Sequence, residues 1–262
     1  TVMDEADSII LAKQAMEEFG IDRKKLTAER FLTQVAQLKA YSIDAYIQRH
    51  LLPASSPDCP DANIRYLRLQ LKHYVLDYDD LIYFTIYILN HFSEARKYWT
   101  DKLNYIMIDE AQDCSIDDWN LIEILAERHH NLFVVGDPDQ AIYEWRGARP
   151  SKFVNFSCDT DIILNQNYRS TPDILDVANS IIAHNRNRVP KDLFSMRLNE
   201  RRTVYRHEKS EADEAQHVAD TIENAVASGE KPGDFAVLYR SAFLSRRGEQ
   251  GLLKRKSPYA VW

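Results

Sequence analysis

Apolar residues recur at helical spacing through the first hundred positions of the chain. Val2, Ala6, Ile9, Ala12, Met16 and Phe19 line one face of a predicted helix, and Gly20 stands where a C-terminal glycine is expected. Thr27 is placed to cap a second helix through Phe31, Val35 and Leu38, with Glu29 in its first turn suiting the helix dipole. Arg30 fills the third position, so no capping box is expected there. Pro53-Ala-Ser-Ser-Pro-Asp-Cys-Pro60 reads as a loop, and helical periodicity resumes from about Ala62 to His91.

The pattern changes at Asn104. Tyr105–Ile108 is a short apolar run ending in Asp109-Glu110, and Leu132–Val135 is another ending in Gly136-Asp137. Between them Trp119, Ile122, Leu125 and Ala126 share a helical face. Further apolar runs follow at Ile162–Leu164, Thr203–Tyr205 and Phe235–Tyr239, separated by helical stretches at about 171–185 and 211–228. Strands alternating with helices predict an α/β fold with a parallel sheet covered on both faces. Such sheets carry their ligand groups beyond the carboxyl ends of the strands, where the polar motifs fall.

Composition narrows the class. With 45% hydrophobic and 28% charged residues, the chain is an ordinary globular one, and its 262 residues suffice for roughly two domains. No apolar run approaches the ~18 residues of a membrane helix. The acidic start Thr1-Val-Met-Asp-Glu5 lacks the layout of a signal peptide, and Met is absent from position 1, so a fragment is expected. Cys59, Cys114 and Cys158 are scattered, which points to a reducing, cytoplasmic setting and away from a disulfide framework or a cysteine-rich zinc site. Net charge is −7, so the whole-chain balance does not advertise nucleic-acid binding. Two basic runs stand out locally: Arg186, Arg188, Lys191, Arg197, Arg201, Arg202 and Arg206, then Arg246, Arg247, Lys254, Arg255 and Lys256. They read either as solvated faces or as phosphate-tracking surface.

Ile108-Asp109-Glu110-Ala111-Gln112-Asp113 follows an apolar strand directly. A carboxylate there can hold Mg²⁺ and its neighbour can deprotonate an attacking water, although an acidic helix start gives the same pattern. After the next strand comes Gly136-Asp137-Pro138-Asp139-Gln140, followed by Tyr143, Trp145 and Arg146. Gln140 can hydrogen-bond a phosphate or the water beside it. The aromatic pair and the arginine suit stacking on unpaired bases with a grip on phosphate; the other reading is that the two rings are core.

These residues carry a resemblance. The chain resembles the UvrD/Rep-type superfamily I DNA helicases along its whole length. Ile108–Asp113 is similar to their Walker B motif, Val135–Ala148 to motif III, and Leu164-Asn-Gln-Asn-Tyr168-Arg169-Ser170 to motif IV. Phe235-Ala-Val-Leu-Tyr-Arg240-Ser241 is similar to the later DNA-contacting strand, and Asp77-Tyr-Asp-Asp-Leu81 to the Asp/Leu-rich helix ahead of Walker B. The resemblance implies that Asp109 binds Mg²⁺, Glu110 is the general base, and Gln140 senses the γ-phosphate of ATP. It implies that Tyr168 stacks on the nucleotide base and that Arg169 reaches the γ-phosphate as an arginine finger. Tyr143, Trp145 and Arg146 would line the single-strand path, and Arg240 would touch the DNA backbone.

The implied fold is a P-loop NTPase with RecA-like parallel sheets and an inserted helical domain. Residues 1–75 would be part of that helical domain, 76–168 the C-terminal part of the first RecA-like domain, and 169–262 the N-terminal part of the second. The implied function is ATP-dependent 3′-to-5′ translocation on single-stranded DNA and unwinding at single-strand/double-strand junctions, in replication or repair, with no membrane partner. Two departures stand out. None of the seven glycines belongs to a G-x-x-x-x-G-K-[ST] loop, and Ala242 stands where the family usually has Asn. The chain alone is therefore expected to be inactive, as a piece of a longer helicase. The alternative is a helicase-like DNA-binding or regulatory module without ATPase activity.

Overall fold

The computed structural model describes residues 1–41, 44–45, 61–185, 188–198, 202–255 and 257–261. The expected loop at 53–60, with Cys59, lies outside them, as do Arg186, Arg201 and Lys256. Two compact units are present: Thr1–Asn165 with Asn179–Asp192, and Gln166–Ala178 with Leu193–Trp262.

The first unit begins with helices α1 (Glu5–Glu18) and α2 (Ala28–Tyr41). Asp4 caps α1 by accepting the Asp7 N–H at 2.8 Å. Its buried face is Ser8, Ala12, Ala15 and Met16, rotated from the expected stripe. Val2 lies before the helix in a bridge to Leu76, and Ala6 and Phe19 face solvent. Small Ala12 and Ala15 let another helix approach closely, which apolar spacing does not reveal. Gly20 closes α1 as expected: at φ +62° it donates to Glu17 O at 3.0 Å, while Ile21 donates to Met16 O at 2.9 Å. Thr27 Oγ1 accepts the Arg30 N–H at 3.4 Å at the start of α2, whose Phe31 and Val35 are buried.

The periodic stretch 62–91 is two helices, α3 (Ala62–His73) and α4 (Tyr78–His91). Tyr74 turns left-handed at φ 53°, and Asp77 starts α4 in a reciprocal capping box with Asp80. The four-residue interruption is about one helical turn, so the apolar rhythm passes through it unbroken. The core of α1–α4 is built on Met16, Phe31, Val35, Tyr66, Leu67 and Leu69. Within it Lys39 is fully buried, its ammonium against Asp77 and 2.8 Å from Asp80 Oδ1, while Gln70 Nε2 donates to Asp80 Oδ2 at 2.8 Å. Burial pushes the Asp77 carboxyl above the usual carboxylate range, with Lys39 opposing the rise. The Asp77–Leu81 segment is thus pinned by a charge cluster.

Helix α5 (Ser93–Lys102) leads into β1 (Ile106–Ile108), α6 (Ile116–Ala126) and β2 (Leu132–Val134). The strands pair in parallel, Met107 opposite Phe133. Ile108, Leu132 and Val134 pack with Trp119 and Ile122 of α6. The other face, carrying Met107 and Phe133, is exposed, so among the described residues the sheet is covered on one face rather than two. The remaining runs, 162–164, 203–205 and 235–239, form no strand among the described residues. A strand needs a neighbour to take its backbone groups; Thr203 instead gives its N–H and hydroxyl to Asp173 Oδ2 at 2.8 and 2.9 Å.

A short helix α7 (Pro150–Val154) precedes α8 (Pro172–Ile182), within which the division between units falls. In the second unit α9 (Glu211–Ala227) packs on α10 (Ser245–Lys254). A methyl at Gly251 would stand 3.1 Å from Ala215 O, tighter than an ordinary contact, so glycine eases the close approach. Among the described residues no helix is long and apolar enough to cross a membrane.

Candidate functional site at the ends of two parallel strands

The site begins where the β1–β2 ladder ends. Val135 donates to Ile108 O at 2.8 Å and Ala111 to Val135 O at 3.0 Å, so the loops after both strands leave side by side. Asp109 and Glu110 are exposed there. Asp109 Oδ1 accepts the Glu110 N–H at 2.9 Å; its other oxygen carries no hydrogen bond among the described residues. Glu110 adopts φ 51°, a conformation costing a non-glycine residue on the order of 1–3 kcal/mol. A one-turn helix at Ala111–Asp113 follows, and this turn fixes the glutamate at the strand end.

Gln112, 1% exposed, joins the two loops. Its Nε2 donates to Glu110 Oε2 at 2.8 Å, and its Oε1 accepts the Asp137 N–H at 2.9 Å. Gly136 makes room for it, since a methyl there would sit 2.7 Å from Gln112 Oε1. Asp137 Oδ2 in turn accepts Gln140 Nε2 at 2.8 Å. A continuous chain of hydrogen bonds therefore runs from Glu110 through Gln112 and Asp137 to Gln140. The sequence points to Glu110 and Gln140 but gives Gln112 no role, because glutamine has no signature until its neighbours are known.

Within the basic run 186–206, the described residues Arg188 and Lys191 are paired with carboxylates rather than solvated. Lys191 ion-pairs with Asp137, and Arg188 reaches Asp139 at 3.1 Å. Burial pushes the Asp137 carboxyl up, but the Lys191 ammonium and the Gln140 amide outweigh it and hold the group below the usual range.

Past Gln140 the loop presents its rings. The Tyr143 and Trp145 centroids lie 6.4 Å apart, and the Arg146 guanidinium is 5.5 and 5.7 Å from them. Trp145 is 75% exposed and so is not a core residue; the buried tryptophan of this region is Trp119. Tyr143 and Arg146 also line a cleft of about 330 Å³, together with Asp79, Asp113, Asp117 and Asp118. Burial, with Asp118 and Asp79 adding, pushes the Asp117 carboxyl upward.

Tyr168, Arg169 and Arg240 belong to the second unit. Asn167 Oδ1 accepts the N–H groups of Arg169 and Ser170 at 2.9 and 2.7 Å, and Arg197 donates to Arg169 O at 2.6 Å. This turn leaves the Tyr168 and Arg169 side chains exposed, and Arg240 is exposed after the 235–239 run.

Among the described residues no three His, Cys, Asp or Glu side chains converge as a metal cage. The exposed Asp109 with an uncommitted oxygen fits Mg²⁺, which takes one or two carboxylates and keeps waters and phosphates as its other ligands.

Two domain families match the chain: the UvrD/REP helicase N-terminal domain over residues 1–161 and the UvrD-like helicase C-terminal domain over residues 162–262. Similar relatives include "ATP-dependent DNA helicase PcrA" of Staphylococcus aureus (strain Mu50) and of Staphylococcus epidermidis (strain ATCC 12228), each 34% identical over 266 residues. The alignments cover all of this chain and 36% of each relative, so the chain spans little more than a third of their length.

Proposed function

The chain belongs to the UvrD/Rep helicase family, whose domains carry the P-loop NTPase fold, and from that premise we propose that it is part of an ATP-dependent DNA helicase. The protein would translocate 3′-to-5′ on single-stranded DNA and unwind duplex at single-strand/double-strand junctions, in replication or repair, in the cytoplasm. The observation that carries this reading is the hydrogen-bonded chain Glu110–Gln112–Asp137–Gln140, continued by the exposed Tyr143–Trp145–Arg146 cluster. It supports a phosphate-hydrolysing end and a base-stacking end on one polypeptide segment.

In this reading Asp109 holds Mg²⁺, which when bound neutralises charge on the nucleotide phosphates. Glu110 takes the proton of the attacking water through Oε1, its other oxygen being held by Gln112. Gln140 faces the γ-phosphate. Tyr168 stacks on the adenine, and Arg169 supplies positive charge to the γ-phosphate. Trp145 and Tyr143 stack on bases while Arg146 and Arg240 contact the backbone. Residues 1–75 would belong to a helical domain inserted in the first RecA-like domain, 76–168 would complete the present part of that domain, and 169–262 would begin the second. The chain has no G-x-x-x-x-G-K-[ST] of its own, so turnover requires a phosphate loop from elsewhere in the longer protein.

The test is Glu110→Gln in the full-length protein. The amide keeps the shape but accepts no proton, so ATP hydrolysis is expected to fall about 10²–10⁴-fold with nucleotide affinity retained. Hydrolysis within a fewfold of wild type removes Glu110 as the base.

A further inference from the structure

Lys191 and Arg188 are far more buried than a solvated basic run requires, with side chains 11 and 14% exposed. The Lys191 ammonium contacts Asp137 Oδ1 and lies 3.7 Å from Asp139 Oδ2. Arg188 reaches Asp139 Oδ2 at 3.1 Å and the carbonyl oxygen of Lys191 at 2.8 Å, which ties the two cations into one turn. Their targets, Asp137 and Asp139, flank Pro138 at the head of the loop that bears Gln140. The pairs are sheltered enough that the discount for exposed ion pairs does not apply.

We propose that Lys191 and Arg188 are positioning residues for Gln140, setting the orientation of its amide through Asp137. This rests on the reading of Gln140 as the group that faces the γ-phosphate. Asp137 Oδ1 is occupied by Lys191 and by the Asp139 N–H at 3.0 Å, which turns Oδ2 toward Gln140. A carboxylate only accepts, so Gln140 must present Nε2 to it and direct Oε1 and its second N–H elsewhere. Without Lys191 only the Asp139 N–H on Oδ1 limits rotation of the carboxylate about its Cβ–Cγ bond, and the anchor of the amide is weakened. Arg188 acts one step further out, by holding Asp139 and the backbone of Lys191.

The experiment is a double-mutant cycle in the full-length protein. Lys191→Ala is expected to lower kcat of DNA-stimulated ATP hydrolysis about 10–100-fold, the scale of a misplaced reacting group, with nucleotide Kd unchanged. Lys191→Arg, which keeps the charge and donors, is expected to recover most of the rate. In a Gln140→Ala background Lys191→Ala is expected to add no further loss. Should Lys191→Ala unfold, seen as a lowered melting temperature and lost nucleotide binding, Asp137→Asn keeps the volume and is expected to give the same kcat loss. A wild-type kcat in Lys191→Ala or Asp137→Asn, or equal losses from Lys191→Ala with and without Gln140, overturns the proposal. Gln140→Ala with wild-type hydrolysis removes the underlying site reading as well; an impaired Gln140→Ala beside an unimpaired Lys191→Ala removes this inference alone.

Discussion

Residues 1–91 bury Lys39, Arg68, Gln70 and Asp80 to 1% exposure or less, whereas residues 105–146 leave Met107, Phe133 and Trp145 facing solvent at 78, 59 and 75%. In the helical region charge closes on charge: Lys39 meets Asp77 and Asp80, and the carboxylates cap their own helix. At the strand ends the polar groups keep unused capacity among the described residues, one oxygen each on Asp109 and Glu110, and Glu110 holds an uncommon backbone conformation. Charged clusters of similar composition therefore serve different ends. One that consumes its own donors fixes the fold, and one that stays open beside exposed rings is built for a ligand.

The sharpest way to break the contrast is at Lys39. Removing it leaves Asp77 and Asp80 buried without their cation, so Lys39→Ala is expected to cost about 3–5 kcal/mol in urea unfolding. A loss below 1 kcal/mol would mean that the cluster contributes little to the fold. Trp145→Ala should behave oppositely. Truncating an exposed ring is expected to change stability by no more than about 0.5 kcal/mol. In the full-length protein it should weaken single-stranded DNA binding by about 1–3 kcal/mol, measured by titration at fixed salt. The smallest effect is at Asp137. Its folded pKa is depressed, so its stabilisation is present above the unfolded value of about 3.9 and is lost as pH falls through the folded one. Wild type should therefore lose stability more steeply than Asp137→Asn as pH falls below about 4. Identical acid limbs would show that Lys191 and Gln140 do not stabilise that carboxylate.

Sequence made the strand-end motifs legible because they are contiguous: Asp109-Glu110 and Gly136 to Arg146 each sit in a single stretch. The caps at Gly20 and Thr27 were equally local. What spacing could not show were the long-range pairs, Lys39 with Asp77 across 38 positions and Lys191 with Asp137 across 54. Each reads in isolation as an ordinary surface lysine. Periodicity also failed at Tyr74, where a break of one turn left the rhythm intact, and at the three apolar runs from 162 onward, where pairing depends on a neighbour rather than on composition.

Gly136 has a mechanical consequence. With Gln112 Oε1 occupying the space a methyl would need, and the Ala111 N–H engaged with Val135 O, the two loops mesh with no clearance. A side chain larger than glycine at 136 would push Gln112 off the Asp137 N–H, and with it part the glutamate's loop from the one that bears the rings. One missing carbon keeps the two loops in register.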